Sequence, residues 1–202
     1  MNAVRPHWAV GLATICALAF GVLIPGPQAP AAGANRPPAN LLVNGSFEQG
    51  PEDVGEFLSL DKDSTAIKGW IVIKGQIDLV GTYWQAADGK RSLDLHGSPG
   101  YGGVAQTFKT EEGKKYKVTF SLAANPDGSV AKKKMAVRAA GQEKEFTADS
   151  TGRSTTDMGW KKHTWEFTAK KAQTTLELYT LMDEDENCGP ALDDVSVVPA
   201  DD

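Results

Sequence analysis

Residues 115–124, KYKVTFSLAA, set Tyr116, Val118, Phe120 and Leu122 against Lys117, Thr119 and Ser121. Unbroken alternation has a period of two, which is that of an antiparallel strand with one face buried and one solvated. Working outward, NPDG at 125–128 ends the strand. After a lysine-rich loop, KMAVRAAG places Met135, Val137 and Ala139 on one side, as the return arm of a hairpin-like pair would. Further short runs rich in β-branched and aromatic residues lie at 41–45, 69–75, 76–81, 91–97, 103–110, 144–148, 162–169, 174–181 and 192–198, with Gly, Asn, Asp or Pro between them. No segment keeps a helical period. The pattern predicts an all-β fold, a jelly-roll β-sandwich, with a closed barrel as the alternative.

The chain has 202 residues, 41% hydrophobic and 23% charged, with a formal charge of −5. That average conceals a division, because every Asp and Glu lies at Glu48 or beyond. The start is different: Arg5 and His7, an apolar block from Trp8 to Ile24, then Pro25 and small residues at Ala29, Ala31 and Ala32. These are the three parts of a secretory signal peptide. The expected organisation is a signal at 1–32, a Gly/Pro linker at 33–39, one β-sandwich domain at 40–198 and an acidic tail at 199–202. Retention of residues 8–24 as a membrane anchor is the alternative. Cleavage predicts a secreted, periplasmic or cell-envelope protein with no further membrane association.

Cleavage removes Arg5 and no acid, leaving 20 basic residues against 26 acidic ones and a charge of −6. An acidic domain without a concentrated basic patch excludes nucleic acid as a partner. Lys132, Lys133 and Lys134 read as a solvated loop face. Cys16 lies in the signal behind Ile15, which does not suit a lipoprotein. Cys188 alone remains, either a buried thiol or one arm of an intermolecular disulfide.

In LDDVSVV, period two puts Asp193 on the side of Ala191, Val195 and Val197. A carboxylate buried among valines needs a basic partner, backbone N–H groups or a metal. Glu48, next to Phe47, meets it if the two ends of the domain lie together, and calcium suits an oxygen-only site of this kind. A capping or salt-bridging Asp at a strand end is the plainer reading. Nearby Asp183, Asp185, Asn187 and Asp194 fall on EF-hand spacing, but Cys188 stands where that loop requires Gly and both flanks read as strands.

LLVNGSFEQG, GWIVIKGQIDLVGTYWQAADGKRSLDLHG, GVAQTF, KYKVTFSLAANPD and CGPALDDVSVV, in that order over residues 40–198, resemble the domain-of-unknown-function 642 family, whose bacterial members are labelled choice-of-anchor C. That family is similar to carbohydrate-binding modules of the galactose-binding-domain-like class. The resemblance implies a structural calcium between the Glu of the NGxFE block and the first Asp of the DDV block, here Glu48 and Asp193. Bacterial relatives often carry an anchoring tail, whereas this sequence stops at VVPADD, so a free exported protein is expected.

Sugars are held by flat aromatic faces and planar polar side chains. Tyr83 and Trp84 are adjacent in a turn-like stretch, so one of them should reach a surface, and Tyr101 sits in the Gly-rich segment HGSPGYGG. Trp70 and Trp165 read as core. In RSLDLHG, Asp94 and His96 share a face with Ser92, giving either a sugar-recognition face or a structural pair. No nucleophile elbow, reactive Cys or zinc-binding spacing accompanies them. The sequence therefore predicts a non-catalytic exported module that binds a polysaccharide or glycan of a cell wall or envelope. The competing class is a protein-interaction or envelope-structural sandwich with protein partners.

Overall fold

The computed structural model describes Met1 and residues 38–97, 100–182 and 187–200. The expected signal, nearly all of the linker, the last two tail residues, Asp183 and Asp185 lie outside these residues. Among the described residues, no helix is long and apolar enough to cross a membrane.

Eleven strands form among the described residues: β1 (Phe57–Asp61), β2 (Ile71–Lys74), β3 (Gln76–Val80), β4 (Ser92–Asp94), β5 (Gly103–Lys109), β6 (Lys115–Ala124), β7 (Lys132–Ala139), β8 (Gln142–Asp149), β9 (Lys161–Thr168), β10 (Gln173–Thr180) and β11 (Pro190–Pro199). They build two antiparallel sheets, ordered β1-β3-β4-β11-β6-β9 and β2-β5-β10-β7-β8. Sandwiched between them is the core, where the alternation of β6 buries Tyr116, Val118, Phe120 and Leu122 against Val137, Leu176 and Leu178 from the other sheet. Phe120 meets Phe146 edge-on at 5.0 Å, and Phe47 packs on Trp70 at 5.3 Å. The fold is a β-sandwich, as the alternation predicts.

Four expectations are corrected. First, β6 and β7 are not a hairpin, because they lie in different sheets. The hairpin partner of β7 is β8, through the two-residue turn Ala140–Gly141. Both turn residues have positive φ, 51° and 73°, which matches a type I′ turn and the twist of the strands it joins. Second, Lys132–Lys134 are not a loop but the start of β7, and Lys133 is fully enclosed.

Third, residues 41–45 form no strand. Asn44 and Phe47 have φ of 56° and 60° and bend the chain. The segment still runs beside β11: Leu41 N–H donates to Val197 O (2.8 Å) and Val195 N–H to Gly45 O (2.9 Å). Asn40 adds two side-chain bonds to the same strand, and Gln106 of β5 grips Val43 N–H and C=O at 2.6 and 2.9 Å. The start of the domain is thereby tied to both sheets.

Fourth, Asp193 does not share a face with Val195 and Val197. The β11–β6 register slips between Asp193 and Ser196, where Asp194 has φ of 48°. This bulge adds one residue to β11 and inverts its parity. Leu192, Val195 and Val197 face the inter-sheet core, while Ala191 belongs to a second apolar cluster with Val80, Trp84, Ala123 and Met158 on the outer face of the six-stranded sheet. Asp193 lies on that outer side.

Candidate functional site

The loop that joins β3 to β4, residues 81–91, covers this outer face. Trp84 is its anchor: it is buried in the second apolar cluster, and its indole N–H donates to Ser92 Oγ at 2.7 Å. Trp160 closes over the loop, donating to Gln85 O at 2.9 Å.

Farther along the loop, both of the expected metal ligands accept its backbone amides. Glu48 Oε1 accepts N–H bonds from Lys90 (2.7 Å) and Arg91 (2.8 Å). Asp193 Oδ2 accepts from Ala87 and Asp88, both at 2.8 Å, and Oδ1 accepts from Asp194 at 2.6 Å. A Cβ on Gly89 would meet Glu48 Oε1 at 2.4 Å and the residue has φ of 66°, so glycine suits the point where the loop closes on that carboxylate. Asp193 is fully buried, and burial pushes its carboxyl up to about 7 against the pull of the three amides. None of the described ion pairs reaches it. The donors are oxygens only, which is the chemistry of a hard cation. Among the described residues, no three His, Cys, Asp or Glu side chains form a metal-holding group.

Asp94, on β4 just past the loop, gathers three segments. Its Oδ1 accepts N–H bonds from His96 and Gly189, both at 3.0 Å, and its Oδ2 accepts from the Asn125 amide at 2.8 Å. A Cβ on Gly189 would meet His96 Cβ at 2.4 Å and Asp94 Oδ1 at 2.6 Å, which explains the glycine of CGP. Burial raises Asp94 to about 7 despite these bonds. Across the ladder its Cα partner on β3 is Asp78, which accepts from Ser59 Oγ at 2.6 Å and is also raised by desolvation.

Between these groups opens a cavity of about 180 Å³, lined by Phe57, Asp78, Val80, Tyr83, Trp84, Asp94, Asn125, Asp127, Asn187 and Cys188. Phe57 is 49% exposed. Its ring meets Tyr83 at 5.9 Å and 78°, so two aromatic faces form a corner. Tyr83 donates its hydroxyl to Asp127, and that bond pushes its phenol up to about 12.

Of the sequence candidates, Tyr83, Trp84 and Asp94 therefore line one cavity. Tyr83 is the adjacent aromatic that reaches the surface, and Trp84 forms the wall behind it. His96 is fully enclosed and presents no surface to a ligand. Tyr101 stands apart: Lys74 Nζ lies 5.0 Å from its ring and 4.7 Å from that of Tyr179 on β10. Phe57, Asp78, Asn125 and Asp127 are lining residues that the sequence reading did not single out, and Cys188, read only as a thiol, lines the cavity half-buried. A signal for Phe57 exists, since FLSLD at 57–61 alternates and leaves its aromatic on the polar parity with Ser59 and Asp61.

Residues 40–198 match the family described as protein of unknown function DUF642. Halomucin of Haloquadratum walsbyi is 35% identical over 168 residues, which cover 81% of this chain and 2% of halomucin, so the chain spans a small part of that relative. Among solved structures, a family 35 carbohydrate binding module from Clostridium thermocellum matches 71% of this chain and 99% of its own, with a TM-score of 0.48 and 16% identity. An arabinose-bound α-L-arabinofuranosidase matches 80% of this chain over 26% of its own, with a TM-score of 0.51 and 16% identity. At such identity the likeness is one of fold.

Proposed function

The chain belongs to the DUF642 family, and from that premise we propose that its sandwich is a non-catalytic exported module that binds a glycan of a cell wall or envelope. The observation that carries this reading is the corner formed by Phe57 and Tyr83 over a largely apolar cavity edged by carboxyl and amide groups. A pyranose has an apolar face that an aromatic ring covers and a rim of hydroxyls that planar carboxylate and amide groups receive. Tyr83 and Phe57 supply the platform, Trp84 the wall, and Asp78, Asn125 and Asp127 the polar rim. Asp94 acts behind the rim, holding Asn125.

Catalysis is not part of the proposal. Both oxygens of Asp94 accept protein hydrogen bonds, and Asp78 and Asp127 are engaged by Ser59 and Tyr83. A hydrolytic pair needs one carboxyl free to donate a proton and another free to attack or to activate water.

Calcium belongs to the same reading. A buried carboxylate balanced only by amide dipoles is stabilised further by a countercharge. Glu48 and Asp193 would hold the ion, which would supply that charge and fasten the 81–91 loop. Both ends of the domain would then be joined beneath the binding face.

The test is a broad polysaccharide panel probed with wild-type protein and the Phe57→Ala and Tyr83→Ala variants, each with calcium and with chelator. Glycan binding that both variants lose supports the site. Capture of protein partners with no glycan retained favours the interaction module, and release of reducing ends revives a hydrolase.

A further inference from the structure

Resting on the sugar-binding reading, we propose that the Phe57–Tyr83 cavity selects a sugar unit bearing a free ammonium group, an unacetylated amino sugar, over its acetylated, neutral and acidic counterparts. Three observations carry this. Among the described residues, the cavity is lined by the carboxyl groups of Asp78 and Asp127, with that of Asp94 behind them, and by no Lys, Arg or His. Field lines from acids converge in a concave, partly desolvated site, so it attracts a cation and repels a uronate or sulfate. Its aromatic corner adds to the same preference, since the face of a tyrosine or phenylalanine ring attracts an ammonium group as well as the apolar face of a sugar.

The second observation is where the basic groups lie. Another cavity, of about 120 Å³, shares no residue with the first and is lined by Lys132, Arg153, Lys161 and His163 beside Asp149. On the outer face of the five-stranded sheet, Arg138 pairs with Glu177 at 2.6 Å and Lys74 lies between two tyrosine rings. The basic groups of this second cavity therefore stand apart from the aromatic corner, which faces acids.

The third is size. About 180 Å³ is below the several hundred Å³ of pockets for drug-sized ligands. A space of this size is filled by a single sugar ring, so the substituents of the unit seated there are the ones that meet the acids. An amine next to the ring hydroxyls places its charge beside Asp78 and Asp127, while Asp94, buried behind them, holds Asn125 in place; an acetyl group in its place both removes the charge and adds bulk.

Isothermal titration at pH 5.5 in low salt compares four hexasaccharides: β-1,4-linked glucosamine, its fully N-acetylated form, cellohexaose and oligogalacturonate. The glucosamine oligomer is expected to bind at least 10-fold more tightly than the other three. That gap should close in Asp127→Asn and Asp78→Asn and shrink in 0.5 M salt, while Phe57→Ala weakens every ligand. Thermal melts of each variant establish that it is folded, and Asp127→Asn, at an exposed position, stands in should Asp78→Asn fail to fold. Equal or tighter binding of the acetylated or neutral oligomer, or an unchanged gap in the folded Asn variants, overturns amine selection while leaving the sugar reading in place. Failure of folded wild-type protein to bind any of these or any polysaccharide of the broad panel overturns both.

Discussion

Glu48 and Asp193 hold the same loop: one carboxylate accepts the amides of Lys90 and Arg91, the other those of Ala87 and Asp88. A segment that begins the domain and the strand that ends it are thereby fastened to one connection, whose Tyr83 and Trp84 join Phe57 of β1 in lining the cavity. Support and recognition are coupled through eight residues of chain, from Tyr83 to Lys90.

Replacing Asp193 by Ala leaves three amides without their acceptor, two of them in the loop. Orphaning buried donors costs ~1–3 kcal/mol each, partly recovered by water, so Asp193→Ala should lose ~2–4 kcal/mol and Glu48→Ala somewhat less, being more exposed. Urea unfolding measures both. Calcium should raise the wild-type midpoint, and neither variant should keep the full increase. A wild-type midpoint indifferent to calcium and chelator would leave the amide clamp standing without an ion.

Asp94 and Asp193 make stability depend on pH. Both are raised by burial from 3.8 to about 7, so the folded state binds protons that the unfolded state has released. Their contribution is fully present below about pH 4 and is lost as pH rises through 7. In calcium-free buffer the melting temperature should fall between pH 5 and pH 8. Asp94→Asn should flatten that decline, as should saturating calcium through Asp193. A decline equally steep in the variant would contradict the assignment.

Gly189 carries the tightest steric constraint beside the cavity. Gly189→Ala drives a methyl into His96 Cβ and the carboxylate of Asp94, where backbone and side chains are all enclosed. The cost should be ~2–4 kcal/mol, in the range of overpacking with a disrupted polar network, and the variant should also weaken glycan binding through Asn125. Denaturant unfolding and titration of the same sample separate the two effects.

Trp84→Phe keeps most of the apolar contact and removes the bond to Ser92, which is worth ~1 kcal/mol. It should lower stability by about that amount with little change in affinity, whereas Tyr83→Ala should do the reverse. The contrast, read by melting and titration, distinguishes the wall from the platform.

Alternation in β6 was legible because ten consecutive residues obey it and nothing interrupts the strand. The parity of β11 was not, since a single residue at φ 48° inverts it and Asp194 is a type that reaches this conformation without announcing it. Residues 41–45 carry strand composition, but their pairing runs through the Asn40 and Gln106 side chains, which no periodicity encodes. Lys133 was misread because lysine in a charged triplet is ordinarily solvated; its alternation with Met135 and Val137 places it inward. That Glu48 and Asp193 are carboxylates in need of partners was legible from their place beside core residues. Their shared partner is a loop between β3 and β4, and loop closure over a sheet leaves no mark except Gly89. The cavity was half legible: Tyr83, Trp84 and Asp94 lie in one stretch, whereas Phe57, Asn125 and Asp127 arrive from β1 and the β6–β7 connection.

Glycan binding at the Phe57–Tyr83 corner is read by titrating wild-type and Phe57→Ala proteins with the polysaccharides that the broad panel retains. Phe57 is half exposed and its loss leaves the core intact, so Phe57→Ala should keep its melting temperature and lose at least 10-fold in affinity. Full affinity in the folded Phe57→Ala protein would contradict binding at that corner.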